Sequence, residues 1–105
     1  MNSVKRIEIV ADSIELPKIL QGLKQVSVNH YTVIHNVESH GIRGMSDGDA
    51  TLVETAYIIA FCTPEQLEAV ASTLRPILNK FGGACYLSDA MELRSLNCIS
   101  SPPTP

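Results

Sequence analysis

No apolar run in this sequence approaches the about 18 residues that a membrane-spanning helix needs. A secretory leader is not expected either, because Lys5, Arg6 and Glu8 interrupt the first apolar stretch. The expected location is therefore the cytoplasm. A disulfide framework is missing: there are three cysteines, no Cys-x-x-Cys pair, and two of them, Cys62 and Cys85, lie inside apolar stretches. Reduced, buried thiols are the ordinary reading of such positions. Cys98 sits near the tail with no base fixed beside it, which gives it little claim as a nucleophile. Positive charge is also scarce. Eight Lys and Arg stand against eleven Asp and Glu, a net charge of −3. That argues against a general nucleic-acid binder, whose affinity rests on neutralising phosphates. The nucleophile elbow Gly-x-Ser-x-Gly, the Walker loop and His-Glu-x-x-His are all absent, so an enzyme is not expected.

What is present suits one folded domain. The chain has 105 residues, 45% hydrophobic and 18% charged, enough to bury roughly 65% of its unfolded surface without staples. Val4 to Ala11 reads as a strand with Ile7, Ile9 and Ala11 on one face and Glu8 and Val10 on the other. Asp12-Ser13-Ile14-Glu15 resembles a capping box. Leu16, Ile19, Leu20 and Leu23 then give the stripe of a short helix, with Pro17 in its first turn and Gly22 weakening its middle by about 1 kcal/mol. His30 to Val37 is a second, β-branched strand, and Thr51 to Cys62 a third.

Thr63-Pro64-Glu65-Gln66 is the clearest local signal: a cap, proline at the first helical position and a glutamine to complete the capping box. Leu67, Val70, Ala71, Leu74, Ile77 and Leu78 form the buried stripe that follows, with a kink expected at Pro76. Lys80-Phe81-Gly82-Gly83 ends it, a cation and then glycine at the helix stop. Ala84 to Leu87 is a short fourth strand, and Ser88 to Arg94 reads as a helical turn or a strand-like return. The resulting class is α+β, a ferredoxin-like β-α-β-β-α-β sandwich with both helices on one sheet face. The domain is placed at 1–95. Residues 96–105, with three prolines in the last four, are a flexible tail. The second sheet face is substantially apolar, and a symmetric oligomer would cover it.

Between strands two and three the pattern stops. Residues 38–50 read ESHGIRGMSDGDA, a loop of a length usually reserved for function or disorder. Glu38, Asp47 and Asp49 are best taken as its solvated face. Gly41, Arg43 and Gly44 at its base suit an anion: glycine lets a ligand approach the backbone, and arginine offers a planar fork. Lys80 with Gly82-Gly83 is a second such place, and Arg94 adds a third positive charge. His30, His35 and His40 recur every five residues, which puts His35 on the opposite strand face from the other two and leaves no convergent metal site.

Taken together, the element order, the Tyr31-Thr32-Val33 strand, the long loop directly after it, the Thr63-Pro64-Glu65-Gln66 helix start and the glycine turn before the last strand resemble the PII signal-transduction superfamily over Val4 to Arg94. The resemblance implies a cytoplasmic homotrimer that binds adenine nucleotides in clefts between subunits and signals to a partner protein through its loop. Carried over by position, it places Thr32 at the adenine and Gly41 and Arg43 near the phosphates. Lys80, Phe81, Gly82 and Gly83 fall at the phosphate-binding turn, and Arg94 reaches in from the end of the core.

The turn departs from the family's glycine-rich pattern and carries fewer basic residues, so ADP or AMP is expected over ATP. The loop has no tyrosine for uridylylation and lacks the glutamine used to hold 2-oxoglutarate. What remains is similar to the PII-like branch associated with bicarbonate transporters and carboxysomes. That likeness implies bicarbonate as a second ligand, at Gly41, Arg43 and Gly44, and a transporter or carboxysome component as the partner. No covalent cofactor is implied. The rival reading is a trimer of the CutA copper-tolerance type that binds divalent metal.

Overall fold

A computed structural model describes residues 1–42 and 54–93. β1 (Asn2–Asp12) leads through a 3-10 turn at Ser13–Glu15 into α1 (Leu16–Gln25). β2 (Tyr31–Val37) and β3 (Thr55–Cys62) follow, then a 3-10 turn at Pro64–Gln66, α2 (Leu67–Phe81) and β4 (Ala84–Glu92). The strands form one antiparallel sheet in the order β2-β3-β1-β4, with both helices against one face. This is the expected α+β ferredoxin-like arrangement.

Strand alternation decides which face the helices cover. Ile7, Ile9 and Ala11 of β1 stand beside Ala60, Ile58 and Ala56 of β3, and all are buried. Ile19 and Leu23 from α1 and Val70 and Leu74 from α2 close over them. The small residues of β3 leave room for that helical layer, as its pattern suggests. Cys62 is fully buried and Cys85 is packed against the core. Each large side chain removed from water in this way contributes about 1.5–3 kcal/mol. Gly22 is costly within α1 taken alone but is required by the packing: a β-carbon there would lie 2.8 Å from the Thr73 methyl of α2.

The caps form largely as the sequence indicates. Asp12 accepts a hydrogen bond from the Ile14 N–H at 3.0 Å. Glu15, however, turns to Lys18 at 3.0 Å, because burial of its carboxylate calls for a cation. At the start of α2, Gln66 accepts from the Thr63 N–H at 2.8 Å and completes the capping box. Its amide also donates to the carbonyls of Val26 (3.3 Å) and Ser27 (3.2 Å), tying the end of α1 to the start of α2. α2 continues as one helix past Pro76 and stops at Gly82, whose φ is +83°.

Of the two alternatives for residues 88–94, residues 88–92 take the strand and not the helical turn: they extend β4 to Glu92, since Arg6 to Asn2 offer five more partners in register. β1 is correspondingly longer at both ends than Val4 to Ala11. Of the proposed third strand, Thr51 to Val53 lie outside the described residues, as do most of the loop and the whole of the tail.

Candidate functional site

The register gathers three connections at one end of the sheet. Val37 of β2 stands opposite Thr55 of β3, Asp12 of β1 is also opposite Thr55, and Val10 is opposite Ala84 of β4. The β1–α1 turn, the base of the long connection 38–54 and the α2–β4 turn therefore lie at the same end. The Ser13 N–H donates to the Glu54 carbonyl at 2.8 Å and pins the loop base to the α1 turn.

The α2–β4 turn is shaped by its glycines. The Gly82 N–H bonds back to Leu78 at 2.8 Å, and Gly83 has a φ of +113°. A β-carbon on Gly83 would meet the Val10 carbonyl oxygen, so the turn is pressed onto β1. Lys80 and Phe81 precede it on the last turn of α2, with the Lys80 ammonium 5.3 Å from the Phe81 ring centre. Lys18 of α1 stands over the same ring at 4.1 Å. This second cation beside the turn was not singled out from the sequence. The only local signal was its i, i+3 spacing from Glu15.

Of the remaining expected residues, Gly41 and Thr32 lie within the described part of the chain. Gly41 is exposed, with a φ of +74° and open space around it. Thr32 lies on the exposed edge strand β2, on the helix-free face, level with Ile59, Glu8 and Tyr86. It is separated from β4 by two strands, so one chain does not bring Thr32 to Lys80–Gly83. Arg43, Gly44 and Arg94 lie outside the described residues. β2 also carries a bulge between Ile34 and Val37, where Asn36 takes a φ of +57°. The bulge bends the strand just before the loop begins, a position such irregularities favour near functional sites.

Burial pushes the Cys85 thiol up to about 11, so it is protonated near neutrality, and burial raises Cys62 as well. Among the described residues no three His, Cys, Asp or Glu gather to hold a metal. His40 pairs with Glu38 at 3.3 Å. No helix of the described residues is long and apolar enough to cross a membrane.

The sequence matches the family model described as nitrogen regulatory protein P-II over residues 4–96. The chain belongs to the PII family. It is accordingly a PII-like regulatory protein, and solved structures of PII proteins share its fold. CPII from Thiomonas intermedia K12, in a structure bound to ADP, AMP and acetate, is 18% identical with a TM-score of 0.78, over 89% of this chain and 91% of that one. The same protein bound to ADP and bicarbonate is 22% identical with a TM-score of 0.75, over 88% and 90%. GlnK from B. subtilis is 18% identical with a TM-score of 0.62, over 85% and 86%. No curated protein matches the sequence.

Proposed function

We propose that this PII-like protein is a homotrimeric, non-enzymatic sensor of the cytoplasm that binds ADP or AMP, in preference to ATP, in clefts between subunits. Bicarbonate binds at Gly41, Arg43 and Gly44. The ligand state passes through residues 38–50 to a partner in inorganic-carbon metabolism, a bicarbonate transporter or a carboxysome component. The folded unit is 1–95, with 96–105 as a tail.

The observation that carries this reading is the P-II match across residues 4–96, joined to a fold shared with CPII, whose solved structures hold ADP, AMP and bicarbonate. The placement of the expected ligands supports it. Thr32 and Lys80–Gly83 sit on opposite sides of one chain, so a cleft that uses both takes Thr32 from one subunit and the glycine turn from its neighbour. Gly41 and the glycine turn share one end of the sheet, the end from which the loop leaves. A nucleotide held there favours one loop arrangement by its differential affinity for the alternatives. Arg43 and backbone amides suit a small planar anion.

The test is calorimetric titration with AMP, ADP and ATP, each with and without bicarbonate. Micromolar binding of ADP or AMP, tighter than ATP and shifted by bicarbonate, is expected. Absence of binding by every nucleotide would remove the sensor reading and bring divalent-metal binding forward.

A further inference from the structure

Two cations share one aromatic ring beside the α2–β4 turn. α1 and α2 run antiparallel there: Gly22 faces Thr73 and Ile77, and Lys18, one turn earlier, faces Phe81, one turn after Ile77. The Lys18 ammonium stands 4.1 Å from the centre of the Phe81 ring, and the Lys80 ammonium 5.3 Å from it. Both distances are within the range of cation–π attraction. Gly82 follows Phe81 directly, so the ring sits at the root of the turn.

The two cations are held unequally. Lys18 donates to Glu15 at 3.0 Å, and the Glu15 side chain is only 12% exposed. A carboxylate so far withdrawn from water needs a cation, and that need fixes Lys18 in place. Lys18 also makes the closer approach to the ring. Lys80 has no ion-pair partner among the described residues. It holds the ring from farther off, and the like charge of Lys18 on the same ring opposes its staying. One carboxylate against two ammoniums leaves this cluster with a positive excess, in a chain whose net charge is −3.

We propose that Lys18 is a positioning residue for phosphate recognition at this turn. Seated by Glu15, it keeps the Phe81 ring covered, and Lys80 is thereby free to leave the ring for a phosphate group. The inference rests on the nucleotide reading above and deepens it by giving the two lysines different work. Lys80 meets the phosphate; Lys18 acts through Phe81. The reason is a competition for one cation. Without Lys18, Lys80 becomes the cation that covers the ring, and binding a phosphate then means giving that contact up. With Lys18 in place the ring stays covered in both states, so the exchange costs less. The Glu15 carboxylate matters for the same reason: it keeps Lys18 from following Lys80 onto the anion.

The experiment is calorimetric titration of the full chain with ADP and with adenosine, with circular dichroism to confirm folding. It compares the wild type with Lys18→Arg, Lys80→Ala, the pair variant Glu15→Gln/Lys18→Met, and that pair combined with Lys80→Ala. The pair variant strands no buried charge. It should weaken ADP binding by about two- to fivefold, the size of an exposed cation–π contact, and leave adenosine binding unchanged. Lys18→Arg, which keeps both the ring contact and the pairing with Glu15, should bind ADP as the wild type does. Removing Lys80 should cost less ADP affinity in the pair variant than in the wild type. Should the pair variant fail to fold, Lys18→Gln decides by the same comparisons, since it keeps a donor for Glu15 and loses the cation. Wild-type ADP affinity in the pair variant overturns the inference, as do equal losses for ADP and adenosine. Strictly additive losses at Lys18 and Lys80 overturn it too, because they mark direct contact of both with the phosphate. Each of these leaves the nucleotide reading standing. A wild type that binds neither ligand overturns both.

Discussion

Gly83 is packed so closely on Val10 that a β-carbon at Gly83 would stand 2.7 Å from the Val10 carbonyl oxygen. The contact joins the α2–β4 turn to the central strand. Gly83→Ala meets two penalties there, the steric one and the strain of a φ of +113°. A loss of about 2–4 kcal/mol in urea unfolding is expected. Gly41→Ala has the positive φ but open space around it, so it should cost about 1 kcal/mol. Equal effects at the two positions would argue against the packing at Gly83.

Gln66 holds the two helices through its side chain. Gln66→Ala removes the capping bond to Thr63 and the donors to Val26 and Ser27 together. Chemical denaturation should report a loss of about 1–3 kcal/mol. Gln66→Glu keeps the acceptor for Thr63 and loses the donors, so it should fall between wild type and Gln66→Ala.

The Cys85 thiol gives stability a slope at high pH. Its pKa rises from 9.0 in the unfolded chain to about 11 in the fold, because burial disfavours the thiolate. The folded state therefore binds the proton more tightly. The associated stability is complete below pH 9 and is lost as pH climbs from 9 to about 11. Thermal melts over that range should show a steeper decline for the wild type than for Cys85→Val. Tyr57, also raised, contributes equally to both proteins and drops out of the difference. Parallel pH profiles would contradict this account.

Asn36 occupies the left-handed region at the bulge before the loop. Asn36→Gly should be nearly neutral, whereas Asn36→Val should cost about 1–2 kcal/mol, since a β-branched residue is strained there. If the bulge sets the course of the loop, Asn36→Val also weakens ligand binding in calorimetry, and Asn36→Gly does not.

Lys80→Ala and Arg43→Ala should each weaken ADP binding by about 1–3 kcal/mol if their contacts to the ligand are charge-assisted. The effect should shrink for adenosine, which carries no phosphate. Equal losses for ADP and adenosine would assign these residues to structure instead.

The elements with a strong periodic pattern were legible in the sequence. The face of β1 carrying Ile7, Ile9 and Ala11, the capping box of α2 and the stop at Gly82 follow from local chemistry and appear in the structure. What local chemistry could not supply was long-range pairing. Ser88 to Glu92 have no clear strand alternation, and only the presence of Asn2 to Arg6 beside them makes them a strand. The Lys18 contact to Phe81 and the Tyr57 bond to Glu8 likewise join residues far apart in the chain. The Asn36 bulge interrupts a β-branched run whose composition gives no warning of it. Of the candidate site, the glycine turn was readable as a turn. Its distance from Thr32 emerged only from the strand order.

Among the described residues β1 is the first strand to be synthesised and β4 the last, yet the two lie side by side, Asn2 opposite Glu92. β1 also stands between β3 and β4 in the sheet. During translation its β4 edge stays bare until nearly the whole domain has left the ribosome. Closure of the sheet is therefore a late event that spans almost the full sequence, and such non-local pairing is slow compared with helix formation. Nascent chains arrested before residue 84 should expose that edge to chaperones, while chains released beyond residue 92 should not.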